Sequence, residues 1–244
     1  MPLLLPERER EEDTSSSPAA PLSPVTVQLL LGQIYLDKGK PAEAFSMFEV
    51  ASRSGDPRAL NMLGRAYERG WGISRNPAAA SAYFAQAAAC GEGWAMFNLA
   101  DLYMAGEGVP MNVKKAYELY VSAAQNGVSK AFNMLGLIAE SGMIPELEPA
   151  KAHDFFLAAA QCGDCWGYLN LARYDLSSGH MEAALKWLSR ALEEGFSDIF
   201  KALETLLHDQ TDPRLRAIAE YARRSLRDAP ASLQTRSPLT AYTP

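Results

Sequence analysis

The sequence predicts an all-α fold: a right-handed α/α superhelical solenoid of about five helix-turn-helix repeats, closed by a C-terminal capping helix pair. Three observations carry this. A 36-residue segment recurs three times without gaps, small and apolar residues recur at three- and four-residue intervals inside each copy, and glycines punctuate every copy at fixed places.

Setting Ala59, Ala95 and Ala131 in register brings Leu63, Leu99 and Leu135 together. The same register aligns Gly64 with Ala100 and Gly136, Gly70 with Gly106 and Gly142, and Ala80 with Ala116 and Ala152. It also aligns Phe84 with Tyr120 and Phe156, and Gly91 with Gly127 and Gly163. Two further copies follow if four residues are removed from the middle turn, 27–58 and 167–198, each 32 residues long.

In chain order, residues 1–24 are rich in proline, serine and charge, with five acidic and two basic residues between Glu7 and Asp13, a composition that predicts disorder. The solenoid occupies 25–228, with copies at 27–58, 59–94, 95–130, 131–166 and 167–198. In the second copy the first helix runs from Arg58 to Glu68 and stops at Gly70, because glycine takes the left-handed cap conformation cheaply. The second helix opens at Asn76 and Pro77, a capping residue and a first-turn proline, and closes at Gly91. Gly64 and Ala80 are small because helix axes 8–10 Å apart leave no room for more where they cross. In the fourth copy Ile144 and Pro145 replace the second glycine and its following valine or isoleucine, so its turn is expected to differ in shape. Residues 199–228 keep helical apolar spacing but lack the small residue and glycines, as a cap would. The tail, 229–244, is expected to be disordered.

One hairpin cannot bury its own apolar face and offset roughly 1.5 kcal/mol of ordering entropy per residue, so the copies must stack.

Composition narrows the function. A net charge of −6 and a pI near 5.2 disfavour non-specific binding to nucleic acid or anionic membrane. Three cysteines are too few for a disulfide framework, and the chain shows neither a signal core nor an apolar run of membrane-spanning length. These features predict a soluble, cytoplasmic protein, with monomer as the default state.

The pattern Leu63, Gly64, Tyr67, Gly70, Gly72, Ile73, Ala80, Tyr83, Phe84, Ala87, Ala88, Gly91 resembles the Sel-1-like repeat family of tetratricopeptide-like solenoids. It recurs at Tyr103, Gly106, Gly108, Val109, Lys115, Ala116, Tyr120, Ala123, Ala124 and Gly127. Ala139 and Asp175 depart from it where Tyr67 and Tyr103 stand. The resemblance spans about 170 residues, Val27 to Asp198. It implies a scaffold or adaptor in protein complexes, often in bacterial signalling or cell-envelope regulation, with no activity common to the family.

Candidate sites are few. Gly70-x-Gly72 and Gly106-x-Gly108 sit at the inner turn of a helical repeat, not between a strand and a helix, so they are read as turns rather than phosphate loops. Cys162 and Cys165 have redox-pair spacing, but Cys162 shares its repeat phase with Cys90 and Asn126, which reads as a packing position; a reversible disulfide is the alternative. His153, His180 and His208 lack ligand-type neighbours, and no nucleophile motif occurs, so no catalytic residue, metal or cofactor is assigned.

By repeat phase, the first-helix residues expected to line the inner face are Asn61 and Arg65, Phe97 and Asp101, Asn133 and Leu137, Leu169 and Arg173. Preceding them on that face stand Arg58, Trp94, Lys130 and Trp166, and Arg69 follows. Tryptophan, phenylalanine and arginine are enriched in binding hot spots. The competing reading is that Trp94 and Trp166 only fill seams between copies. The expected function is a protein-interaction adaptor that binds a partner peptide or domain along this concave face. Two alternative readings differ in what they require. A secreted hydrolase or cell-wall-fragment binding protein would carry a signal peptide and paired cysteines in each copy. A regulator would act through its acidic N-terminus, which would fold onto a partner or be modified at Ser15 to Ser17.

Overall fold

A computed structural model describes residues 22–228, and among them it contains twelve α-helices and no strand. They are α1 (Pro24–Asp37), α2 (Pro41–Ser52), α3 (Pro57–Arg69), α4 (Pro77–Ala89), α5 (Gly93–Ala105), α6 (Val113–Gln125), α7 (Lys130–Ser141), α8 (Lys151–Gln161), α9 (Cys165–Ser177), α10 (Met181–Glu194), α11 (Ser197–Leu207) and α12 (Pro213–Asp228). Each helix packs on the next along the chain, and α1 also meets α3, α7 meets α9, α9 meets α11 and α10 meets α12. This is the stacked helix-pair arrangement that the repeat demands. The expectations for 1–21 and 229–244 lie outside the described residues.

Local chemistry sets the helix ends. Asn76 and Asn112 accept backbone N–H bonds from Ala79 and Lys115 at 3.0 and 2.9 Å, and Asp56 accepts from the Arg58 amide at 2.9 Å. Proline stands in the first turn of α1, α2, α3 and α4, where its missing N–H costs nothing. The first helices of the 36-residue copies end on Gly70, Gly106 and Gly142, all left-handed, with φ of 74, 69 and 64°.

Inside each copy, the small residue on the first helix meets an aromatic ring on the second. A Cβ placed at Gly32, Gly64 or Gly136 would lie 2.3, 2.6 or 2.4 Å from the ring of Phe48, Phe84 or Phe156. These three rings are fully buried. In the third and fifth copies alanine takes the glycine phase, as Ala100 and Ala172, and the phenylalanine phase holds Tyr120 and Leu188.

The second glycine of each turn acts between copies. A Cβ at Gly72 would fall 2.4 Å from the Pro41 carbonyl oxygen, and one at Gly108 would fall 2.3 Å from the Pro77 carbonyl carbon. Each glycine turn therefore lies against the start of the preceding copy's second helix, and its positive φ further favours glycine. The Gly-x-Gly motif is thus a stacking device. In the fourth copy, nine residues separate α7 from α8, α8 begins two residues beyond Pro149, and Ile144 and Leu147 pack against α6-side core residues. The turn does differ, because two bulky, half-buried apolar side chains stand where the other copies make a glycine contact.

Gly64→Ala should destabilise the array by about 1–3 kcal/mol in urea unfolding, the usual cost of overpacking. Adding Phe84→Leu, the pairing of the fifth copy, should recover part of that loss; additive losses would show that the ring does not set the limit.

Candidate partner-binding surface

The first helices carry the residues assigned to the inner face, and the structure divides them into two groups. Asn61, Arg65, Asn133 and Leu169 are buried. The Asn98 amide donates to the Asn61 side-chain oxygen at 2.9 Å, and Asn170 donates to Asn133 at 2.7 Å. Each bond joins adjacent copies, α3 to α5 and α7 to α9. The partners Asn98 and Asn170 escaped the sequence reading because they stand one position past the phase of Asn61 and Asn133; their 37-residue separation is the signal that could have found them. Arg65 places its guanidinium 5.2 Å from the Trp71 ring centre and 3.7 Å from the Met62 sulfur.

The second group is reachable. Arg58 and Arg69 are exposed, Arg58 pairing with Asp56 at 2.9 Å and Arg69 with Glu68 at 3.4 Å. Trp94, Phe97, Asp101, Lys130, Trp166 and Arg173 are half-buried, and Leu137 is exposed. Trp94 meets Phe97 edge-on at 5.7 Å, Phe97 meets Tyr120 at 5.4 Å, and the Lys130 ammonium of the next copy lies 6.0 Å from the Trp94 ring. Two half-buried rings of α5 and a cation of α7 therefore form one continuous patch, with the buried Tyr120 ring beneath it. Arg173 holds Glu140 of the preceding copy through two bonds of 2.9 and 2.6 Å.

Asp101 sits at the edge of this patch, accepting the Tyr120 hydroxyl proton at 2.5 Å. Burial pushes its carboxyl up to about 6 despite that bond, with the Glu68 charge adding to the shift and Arg69 opposing it. The Tyr120 phenol is pushed above its ordinary range by burial and by the Asp101 charge.

The cysteines are placed differently from the expectation. Cys90 and Cys162 are not packing residues: they are the exposed C-cap residues of α4 and α8, a phase that faces solvent because the helix ends there. Cys165 opens α9 and donates its thiol to the Glu194 carbonyl oxygen at 3.2 Å, and burial pushes the thiol up to about 11. Such a thiol is a poor nucleophile at neutral pH.

A shallow cleft of about 380 Å³ lies between the end of α8 and α10, lined by Tyr168, Trp187 and Arg190. Tyr168 stacks on Trp187 at 6.1 Å, and Arg190 both donates to the Tyr168 hydroxyl at 3.1 Å and pairs with Glu194 at 2.6 Å. No group of three or more His, Cys, Asp or Glu among the described residues is arranged to hold a metal ion, and no described helix is long and apolar enough to cross a membrane.

The Sel1 repeat profile matches residues 57–92, 95–128, 129–164 and 181–196, half of the chain. The chain belongs to the Sel1 repeat family. A Sel1 repeat protein from Oxalobacter formigenes shares 25% identity and a TM-score of 0.70 over 83% of this chain and 88% of that one. A protective antigen of uropathogenic Escherichia coli with the same fold shares 26% identity and a TM-score of 0.65; the match covers 86% of this chain and 47% of the antigen. PilF of Pseudomonas aeruginosa, at 18% identity and a TM-score of 0.60 over 90% of this chain and 98% of that one, shows the fold alone. No curated protein sequence matches the chain. Sel1 repeat proteins are in general non-enzymatic scaffolds for protein interactions.

Two outcomes test the polar groups. Asn98→Ala should cost about 1–3 kcal/mol, because it leaves the Asn61 amide buried without its partner, whereas Asn61→Ala with Asn98→Ala should cost less than the sum of the single changes. For Asp101, the folded carboxyl binds its proton more tightly than the unfolded one, whose value is near 3.8. Its contribution is therefore complete below about pH 4 and is lost as pH rises through about 6. Relative to Asp101→Asn, the native chain should lose on the order of 2 kcal/mol between those limits, measured by urea unfolding across pH.

Proposed function

We propose that this Sel1 repeat protein is an adaptor that holds a partner peptide or domain along the concave, first-helix face of its solenoid. The observation that carries this reading is the patch of Trp94 and Phe97 on α5 with Lys130 on α7: two aromatic side chains of the kind enriched in interfaces beside a cation, half-exposed and drawn from successive first helices. Trp94 and Phe97 receive apolar side chains of the partner. Arg58 and Arg69, exposed at the two ends of α3, meet its carboxylates, and arginine suits this role because its fork binds a carboxylate through two parallel bonds. Lys130 on α7 and Trp166 and Arg173 on α9 extend the surface along the next two first helices. Asn61, Arg65, Asn133 and Leu169 act beneath it, fixing the spacing of neighbouring first helices so that the exposed groups keep their register. Asp101, held by Tyr120, borders the aromatic patch with a carboxylate. The repeat supplies the rigid wall and the variable phases supply the chemistry.

The accessible thiols of Cys90 and Cys162 and the raised thiol of Cys165 fit a reducing, cytoplasmic setting.

Immobilised native chain should capture its partner from extract of the source cell, and Trp94→Ala and Arg69→Glu should each lower recovery at least about tenfold, the usual effect of losing a hot-spot residue. Lys115→Glu, on the second helix of the third copy, should leave recovery unchanged. Equal recovery by all four proteins removes this face from consideration.

A further inference from the structure

The two ends of the solenoid are finished differently. At the C-terminal end, α11 and α12 present a charged surface: Arg223 pairs with Glu204 at 2.8 Å and with Glu220 at 3.0 Å, and Arg224 and Arg227 also reach Glu220. At the N-terminal end, α1 leaves Val27, Leu30, Leu31 and Ile34 exposed by 40, 50, 39 and 45%. These four residues follow i, i+3, i+4, i+7 spacing and so form one stripe along the helix. Asp37 is the only charged residue in α1.

The repeat register says what such a stripe is for. Val27, Leu31 and Ile34 stand at the phases of Ala59, Leu63 and Ala66, of Ala95, Leu99 and Leu102, and of Ala131, Leu135 and Ile138. All nine of those residues are buried, none more than 6% exposed. On α1 the same phases, Val27, Leu31 and Ile34, lie open. The chemistry complementary to the face is therefore that of another helix pair of this kind.

We propose that a second copy of this chain covers the α1 face, the two solenoids meeting head to head about a two-fold axis. Head-to-tail addition would place α1 against the ion-paired surface of α12 and leave those charges desolvated without compensation. Head-to-head pairing instead matches an uncharged apolar stripe with itself, and a heptad-like stripe is self-complementary in that arrangement. Because both apolar ends are consumed, assembly stops at two. The contact is a single short helix face, so the dimer is weak, with a dissociation constant on the order of 10–100 µM. Pairing in this way leaves the first-helix patch at Trp94 and Phe97 uncovered, so the inference is independent of the proposed function.

Sedimentation velocity on the full chain, from about 1 to 500 µM, should show a monomer–dimer equilibrium spanning the expected constant. Leu30→Glu and Ile34→Glu should each raise that constant at least about tenfold with unchanged far-ultraviolet circular dichroism, while Met111→Glu, at an apolar residue 68% exposed elsewhere, should leave it unaltered. In a background of Cys90→Ser, Cys162→Ser and Cys165→Ser, Leu30→Cys should crosslink to its own counterpart on mild oxidation. The proposal is overturned by a chain that stays monomeric throughout, by a dimer indifferent to both glutamates, or by assemblies larger than two. Dimerisation seen only when Leu3, Leu4 and Leu5 are changed to serine would also overturn it, by assigning the face to the chain's own N-terminal segment.

Discussion

The fold depends on how closely the two helices of a copy approach. Gly32, Gly64 and Gly136 each leave so little space beneath a phenylalanine ring that even one added carbon would overlap it. That closeness lets a thirteen-residue helix, too short to persist alone in water, bury a complete stripe against its partner. Everything further out follows from it: the angle of the hairpin, the position of its turn, and the flat side it offers to the next copy. The second glycine of the turn then repeats the principle between copies, since Gly72 and Gly108 let backbone touch backbone.

Most of this architecture was legible in the sequence, because a stacked repeat writes each structural requirement several times. Gly70, Gly106 and Gly142 recur because three turns need the same left-handed residue, and Phe84, Tyr120 and Phe156 recur because three hairpins need the same filler. Contacts that do not repeat were not legible. The Asn61–Asn98 bond joins different phases of different copies, and alignment of like with like passes over it. Cys90 and Cys162 were misread for a related reason: a shared phase shows that two residues have the same environment, not whether that environment is packed or exposed. The missing glycine marks the fourth turn as irregular, but its geometry depends on where Ile144 and Leu147 find apolar cover.

For the candidate surface, sequence phase groups residues of the first helices but does not say which side chains the fold itself consumes. Asparagine and arginine at inner-face phases look like recognition groups on paper. In the structure Asn61, Arg65 and Asn133 are buried between helices, and the accessible chemistry shifts toward Trp94, Phe97 and Lys130. A polar residue inside a repeat array has two uses, holding the next copy or holding a ligand, and burial separates them.

The buried amide pairs have a mechanical consequence. A hydrogen bond between two asparagines is directional, so it fixes how the helices it joins can slide or rotate. Such bonds tie the second copy to the third and the fourth to the fifth, while the rings and Lys130 around Trp94 occupy the seam between those two doublets. Ring contacts tolerate small rotations that an amide pair does not. Among the described residues no such amide pair joins α5 to α7, so a guest seated across Trp94 would bridge the one junction of these four copies that is held in register without one.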